Sequence, residues 1–150
     1  MPRRIYYEKK NEIYDPLIKS EDPIFPTYKD LVLFAACVGY NEGKRKPLSS
    51  ATREGEIHWE VFEKNITDVA IVNAIALSET EDLNVFLDTE EEFDKKFTIL
   101  EEYANGGIQI LKEKILDQPG EPIDNLIDYI FKQVGEKKEE GILEKIDQEI

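Results

Sequence analysis

Residues 28–40 read YKDLVLFAACVGY, and the fold turns on whether this stretch is helix or strand. From Leu31 to Val38 it is apolar without interruption. A strand buried on both faces and a helix buried all round both produce such a run. Thirteen residues exceed the usual strand, and the Ala35-Ala36 pair favours helix. Thr27 stands before it as an N-cap, with Asp30 three residues on. Gly39 or Gly43 is the expected stop. A helix apolar on every face belongs in the middle of a fold. The eight-residue apolar core of the run is the longest in the chain, far short of the ~20 a membrane helix needs.

Beyond this helix, residues 41–55 form a polar loop, NEGKRKPLSSATREG, with the one dense basic cluster, Lys44-Arg45-Lys46, followed by Ser49, Ser50, Thr52 and Arg53. Residues 56–64 are ambiguous. Ile57, Trp59 and Val61 alternate as in a strand, whereas Ile57, Val61 and Phe62 share a helical face; with no partner strand in view, helix is the expectation. Ile66 to Leu77 is a second broadly apolar stretch, expected as another central helix capped by Asn65 or Thr67. Leu83 to Leu87 is a connector.

Thr89 and Glu92 then form a capping box. Phe93, Phe97, Leu100, Ala104, Gly107 and Leu111 follow at 4-3-4-3-4 spacing, a seam for packing on another helix. A helix from Asp88 to Leu116 would be roughly 42 Å long. Gly106-Gly107 interrupts it, and each glycine costs about 1 kcal/mol in a helix interior. Such a pair calls for a kink, a break, or close approach of another backbone. Pro119-Gly120 marks a turn, and Pro122 suits the first position of a helix. Ile123, Leu126, Ile127, Ile130, Phe131 and Val134 make the clearest amphipathic stripe in the chain, with Gly135 as its expected end. Residues 136–150 are mostly charged, with a thin stripe of Ile142, Leu143, Ile146 and Ile150.

Toward the N-terminus, Pro2, Pro16, Pro23 and Pro26 punctuate residues 1–26. Ile5-Tyr6-Tyr7 reads as an arm or short strand, and Tyr14, Leu17 and Ile18 as one helical turn. The expected organisation is an irregular arm (1–26), a helical domain (27–135) and a charged tail (136–150). The fold class is all-α, a single compact domain of about five to six helices with a long, glycine-interrupted helix.

The 150 residues carry a net charge of −14, unevenly placed. Residues 1–56 hold 10 Lys/Arg and 9 Asp/Glu, whereas residues 57–150 hold 9 and 24. Affinity for nucleic acid comes from Lys and Arg displacing counterions. Direct DNA contact is therefore confined to the first third, and the acidic remainder suits basic protein partners. No apolar leader opens the chain, and the expectation is a cytoplasmic protein with no membrane contact.

Chemistry-bearing groups are few. His58 is the lone histidine and Cys37 the lone cysteine, so histidine pairs, disulfides and zinc clusters are excluded within the chain. Cys37 lies in the most apolar helix, where burial makes a thiol inert. Glu90-Glu91-Glu92 with Asp94 point in different directions on a helix and suit its dipole better than a cation. Phosphate-binding and nucleophile-elbow signatures are absent. No cofactor, metal or catalytic residue is expected, and the chain is expected not to be an enzyme. Two candidate sites remain. Lys44, Arg45, Lys46 and Arg53 form a loop for phosphate or a partner. Glu102, Tyr103, Asn105, Gly106 and Gly107 form a corner richer in polar groups than a core helix requires.

The order YKDLVLFAACVGYNEGKRKPL, IHWEVFEKN, IALSETEDLNVF and FTILEEYANGGIQIL resembles the dnd-system-associated proteins, the type 4 DNA-phosphorothioation-associated proteins of bacterial defence clusters. The resemblance spans about residues 25–116. It implies a setting beside enzymes that place sulfur in the DNA backbone, or beside the matching restriction proteins, and carries no catalytic motif.

The leading expectation is a non-enzymatic accessory protein that binds a larger partner of such a system. One competitor is a nucleic-acid-binding regulator using Lys44, Arg45, Lys46 and Arg53. Another is a DNA mimic that places Glu90 to Glu92 and Asp94 in a nuclease groove.

Overall fold

The computed structural model describes residues 2–49 and 53–149, with backbone alone for 53, 54 and 136–149. Its elements are β1 (Ile5–Glu8), α1 (Asn11–Ile18), α2 (Tyr28–Glu42), β2 (Arg53–Ile57), α3 (Trp59–Glu63), α4 (Ile66–Thr80), a 3-10 turn (Leu83–Phe86), α5 (Glu90–Leu111), a π-helical turn (Lys112–Leu116) and α6 (Pro122–Glu149). The chain divides into two compact units, residues 1–111 and 112–150. No described helix is long and apolar enough to cross a membrane.

The first unit is built on the packing of α2 against α5. Thr27 caps α2 by accepting the Asp30 amide at 3.2 Å, and Gly43 ends it in the left-handed conformation at φ 67°. Gly39, the other expected stop, lies inside the helix instead. It faces α5, where a β-carbon would stand 2.1 Å from the Tyr103 carbonyl oxygen. From the other side, a β-carbon on Gly107 would stand 1.7 Å from the Ala35 carbonyl oxygen, far inside van der Waals contact. The glycine pair therefore neither kinks nor breaks α5, which runs unbroken through it. Close approach of a second backbone is the reason for it. The expected seam of Phe97, Leu100, Ala104 and Leu111 is buried along the same helix.

Residues 56–64 divide between the two readings. Ile57 ends a strand and Trp59–Glu63 is helix. The partner strand, out of view in the sequence, is β1. The two pair antiparallel with Ile5 opposite Ile57 and Tyr7 opposite Gly55. The Tyr7 ring fills the space a side chain at position 55 would need. This ribbon adds two strands to an otherwise helical fold, and with α1 it orders much of a segment expected to be irregular. Tyr7, Tyr14 and Tyr28 meet with ring centroids 5.5–5.8 Å apart, binding β1, α1 and α2 together.

The helix at 66–80 is less central than its composition suggested. Asn65 caps it through the Thr67 amide, and Val72, Ile75 and Ala76 are buried, but Ile66, Ala70 and Ala74 are exposed. Its buried Asp68 receives Lys29 at 2.5 Å. A second aromatic group, Trp59, Phe62, Phe93 and Phe97, packs α3 on α5. Only half of the capping box at 89–92 forms: Thr89 accepts the Glu92 amide at 3.2 Å, while the Glu92 carboxylate turns to Lys95.

In the second unit, Gly120 takes φ 99° in the expected turn and Pro122 opens α6. Asn125 ties the helix back by donating to the carbonyl of Ile115 at 3.0 Å. Gly135 does not end this helix, which continues to Glu149. The stripe of Ile142, Leu143, Ile146 and Ile150 lies outside the described side chains.

The glycines give a paired test. Gly107→Ala should lower stability by about 3 kcal/mol, because neither helix backbone can yield to the new methyl group. Gly135→Ala, with nothing within 4 Å, should raise the stability of its helix by about 1 kcal/mol. Urea melts of both variants check this; equal effects of one sign would contradict the crossing.

Candidate functional site

The two candidate sites of the sequence meet. After Gly43 the chain turns across α5, and the Lys46 amide donates to the Glu102 carbonyl at 3.0 Å. The Asn105 amide group donates to the carbonyls of Lys46 and Pro47, both at 3.2 Å. Gly106 leaves room for this, since a β-carbon there would stand 2.1 Å from the Lys44 carbonyl oxygen. So the polar corner of α5 binds the chain's own basic loop through backbone groups. Gly107 sits one residue on, against α2.

Side chains close the same junction. Arg45 Nε donates to Glu102 Oε1 at 2.7 Å, and its Nη1 donates to Glu79 Oε1 at 2.9 Å. The Tyr103 hydroxyl donates to the other Glu79 oxygen at 2.5 Å, with the Arg45 guanidinium 5.7 Å from the Tyr103 ring centroid. Burial would lower the Arg45 guanidinium, but its bonds to Glu102 and Glu79 outweigh this and raise it. Burial and then the Glu79 carboxylate push the Tyr103 hydroxyl up to about 12. Arg45 is thus engaged within the fold. Among the described residues Lys44 and Lys46 form no ion pair, and Lys46 is exposed. The Arg53 side chain lies outside the described ones, as do Ser50 and Thr52.

A second cation reaches α5 from the N-terminus. Arg3 donates to both Glu101 oxygens at 2.7 and 3.1 Å, to Asp94 at 2.7 Å and to Thr98 at 3.1 Å. Glu101 is buried and also accepts the Tyr6 amide at 2.7 Å. Here too burial would lower the guanidinium and the carboxylates win, Glu101 foremost. Between this anchor and the basic loop lies a cleft of about 320 Å³, lined by Arg3, Tyr6, Pro47, Leu48 and the α5 residues Asp94, Thr98, Glu101 and Glu102. A smaller cleft of about 230 Å³ is lined by Pro2, Arg3, Arg4, His58, Trp59, Glu60 and Glu63.

Neither cleft holds a nucleophile with its base. Among the described residues no group of three His, Cys, Asp or Glu could hold a metal ion. Burial pushes the Cys37 thiol up, away from reactivity. Of the four carboxylates considered for DNA mimicry, Glu92 is buried, while Glu90, Glu91 and Asp94 are exposed, Asp94 bonded to Arg3 and Glu91 paired with Lys95. Sequence reading missed Lys96, which is buried with its ammonium 2.8 Å from Asn73 Oδ1 and 3.2 Å from the Val85 carbonyl. Burial pushes it down, and Asp88 and Glu92 pull partly back. Phe93, three residues before it on α5, is the one ring contact its spacing could have given; that with Trp59 is out of view in sequence.

Fold and site define a small, acidic, mostly helical protein whose polar corner serves its own loop. The chain matches the family DNA sulphur modification system-associated protein 4 over residues 4–148, and it belongs to that family. No curated protein and no solved structure matches it.

The Tyr103 junction has a pH signature. A tyrosine raised from 10 to about 12 gives stability that is fully present below pH 10 and is lost as pH rises through about 12, because the unfolded chain ionises first. Tyr103→Phe should cost about 1.5 kcal/mol at neutral pH. The gap to the unaltered protein should narrow as the pH climbs through that window. Denaturant melts across the alkaline range check it; a gap of constant size would contradict a Tyr103 hydroxyl held protonated by burial and by Glu79.

Proposed function

We propose that this chain serves a DNA sulphur modification system as a non-enzymatic accessory protein that binds a larger protein partner. The observation that carries this reading is where the cations of the first third have gone. Arg3 is bound by Asp94 and Glu101, Arg4 by Glu56, Lys29 by Asp30 and Asp68, and Arg45 by Glu79 and Glu102. A nucleic-acid reader keeps its cations free to displace counterions. Here all four arginines and lysines named are tied to carboxylates, which leaves Lys46 as an exposed cation of the basic loop in a chain of net charge −14. Such a charge suits a basic protein face and repels phosphate. The family places the chain beside DNA chemistry, and a bound protein is the route to DNA that its charge allows.

The test is co-expression of the tagged full chain with the other proteins of its modification system. At least one should co-purify, with retention falling as salt rises. Gel shifts with plain and phosphorothioated DNA should show no complex at physiological salt. Failure to retain any of those proteins would overturn the proposal. A DNA shift that disappears when Lys44, Arg45 and Lys46 become alanine would instead favour direct binding.

A further inference from the structure

We propose that Leu83, Phe86 and Leu87 form the docking ridge for the partner, and that the segment seated on them is a basic amphipathic one, with apolar residues flanked by Lys and Arg. This rests on the partner-binding reading above and names its surface.

Large apolar side chains in solvent call for an explanation when they cluster. These three are 72%, 51% and 52% exposed within five residues. Leu83 and Phe86 share one side of the turn, because residues i and i+3 of a 3-10 helix eclipse, and Leu87 follows directly at its C-terminal cap. The turn is also held firmly. Asp82 caps it by accepting the Asn84 amide at 2.9 Å, and the Leu87 amide closes it on the Asn84 carbonyl at 2.9 Å. Val85 points the other way and is buried, and its carbonyl takes the Lys96 ammonium from α5. The ridge is therefore preorganised, which spares a partner the cost of ordering it.

Charge identifies the occupant. Residues 65–94 contain nine acids and no Lys or Arg. Around the turn, Glu81, Asp88 and Glu90 are exposed, and among the described residues none of them forms an ion pair. The nearest cations are engaged, Lys95 with Glu91 and Glu92, and Lys96 with Asn73 and Val85. An apolar ridge with an acid rim is complementary to a segment of apolar residues rimmed by Lys and Arg. A second copy would bring the same acids to the same place, and an anionic membrane or DNA would be repelled likewise.

The experiment uses the full chain co-expressed with the proteins of its modification system. One variant carries Leu83→Ser, Phe86→Ser and Leu87→Ser; another carries Glu81→Gln, Asp88→Asn and Glu90→Gln. All six positions are exposed, so melting temperatures should stay near that of the unaltered protein. The first variant should weaken the complex at least tenfold, as loss of a central aromatic anchor does. The second should weaken it less and flatten its salt dependence. A photo-crosslinking residue at position 86 should label a Lys/Arg-rich segment of the partner, and one at exposed position 63 should not. If the unaltered chain binds and both variants bind equally well, the ridge is overturned while the partner reading stands. Crosslinks only between copies of this chain would also overturn it. If the unaltered chain binds nothing in the system, the reading and the ridge fall together.

Discussion

Two helix backbones touch in this protein, and the rest of the first unit depends on that contact. Helices packed through side chains stand 8–10 Å apart at the axes. Where α2 crosses α5, Gly39 and Gly107 remove the side chains on both sides, and carbonyl oxygens occupy the space their β-carbons would take. The approach brings the end of α2 down onto α5, so that the chain leaving Gly43 lands on Glu102 and Asn105. Without it, the loop amide of Lys46 would have no helix carbonyl to meet, and Arg45 would not reach Glu79 and Glu102 together.

The second organising feature is electrostatic. The acidic part of the chain and its near-neutral first third are not separate surfaces. Arg3 and Arg45 from the first third flank one face of α5, each held by two carboxylates. Exposed ion pairs contribute little, but the buried Glu101 requires its cation, because a lone buried carboxylate is far costlier than a paired one. Pairing Arg3 and Arg45 with carboxylates leaves the net charge of −14 unchanged. The proposal of a basic protein partner rests on that acid excess.

Much of the fold was legible in the sequence because its signals were local. The Thr27 and Asn65 caps, the Gly43 stop, the seam on α5 and the Pro122 start depend on residues within a turn or two of one another. What stayed hidden depends on distant partners. The strand reading of Ile57 gave way to helix because its partner Ile5 lies 52 residues away. The purpose of Gly106 and Gly107 was one of three options until α2 and Lys44 were seen against them. Nothing in the sequence says that Asn105 of the polar corner faces Lys46 and Pro47. Lys96 reads as a surface residue of an amphipathic helix, and only the tertiary arrangement brings Trp59, Asn73 and the Val85 carbonyl to it. At Gly135 a local signal misled: a glycine with open space around it can ride inside a helix at modest cost.

The reach of Arg3 has a kinetic meaning. Helical proteins of this size usually fold fast because their contacts are near in sequence. Here the first strand closes on the second across about 50 residues, and Arg3 meets its carboxylates across 91 and 98. During synthesis the N-terminal arm emerges first, yet the residues that neutralise it emerge roughly two-thirds of the way through the chain. Until then Arg3 stands without its carboxylates, although Tyr7 already has Tyr14 and Tyr28 to meet and Ile5 already has Ile57. Arg3 is thus among the last residues to settle, and a ribosome pausing before α5 would leave it waiting.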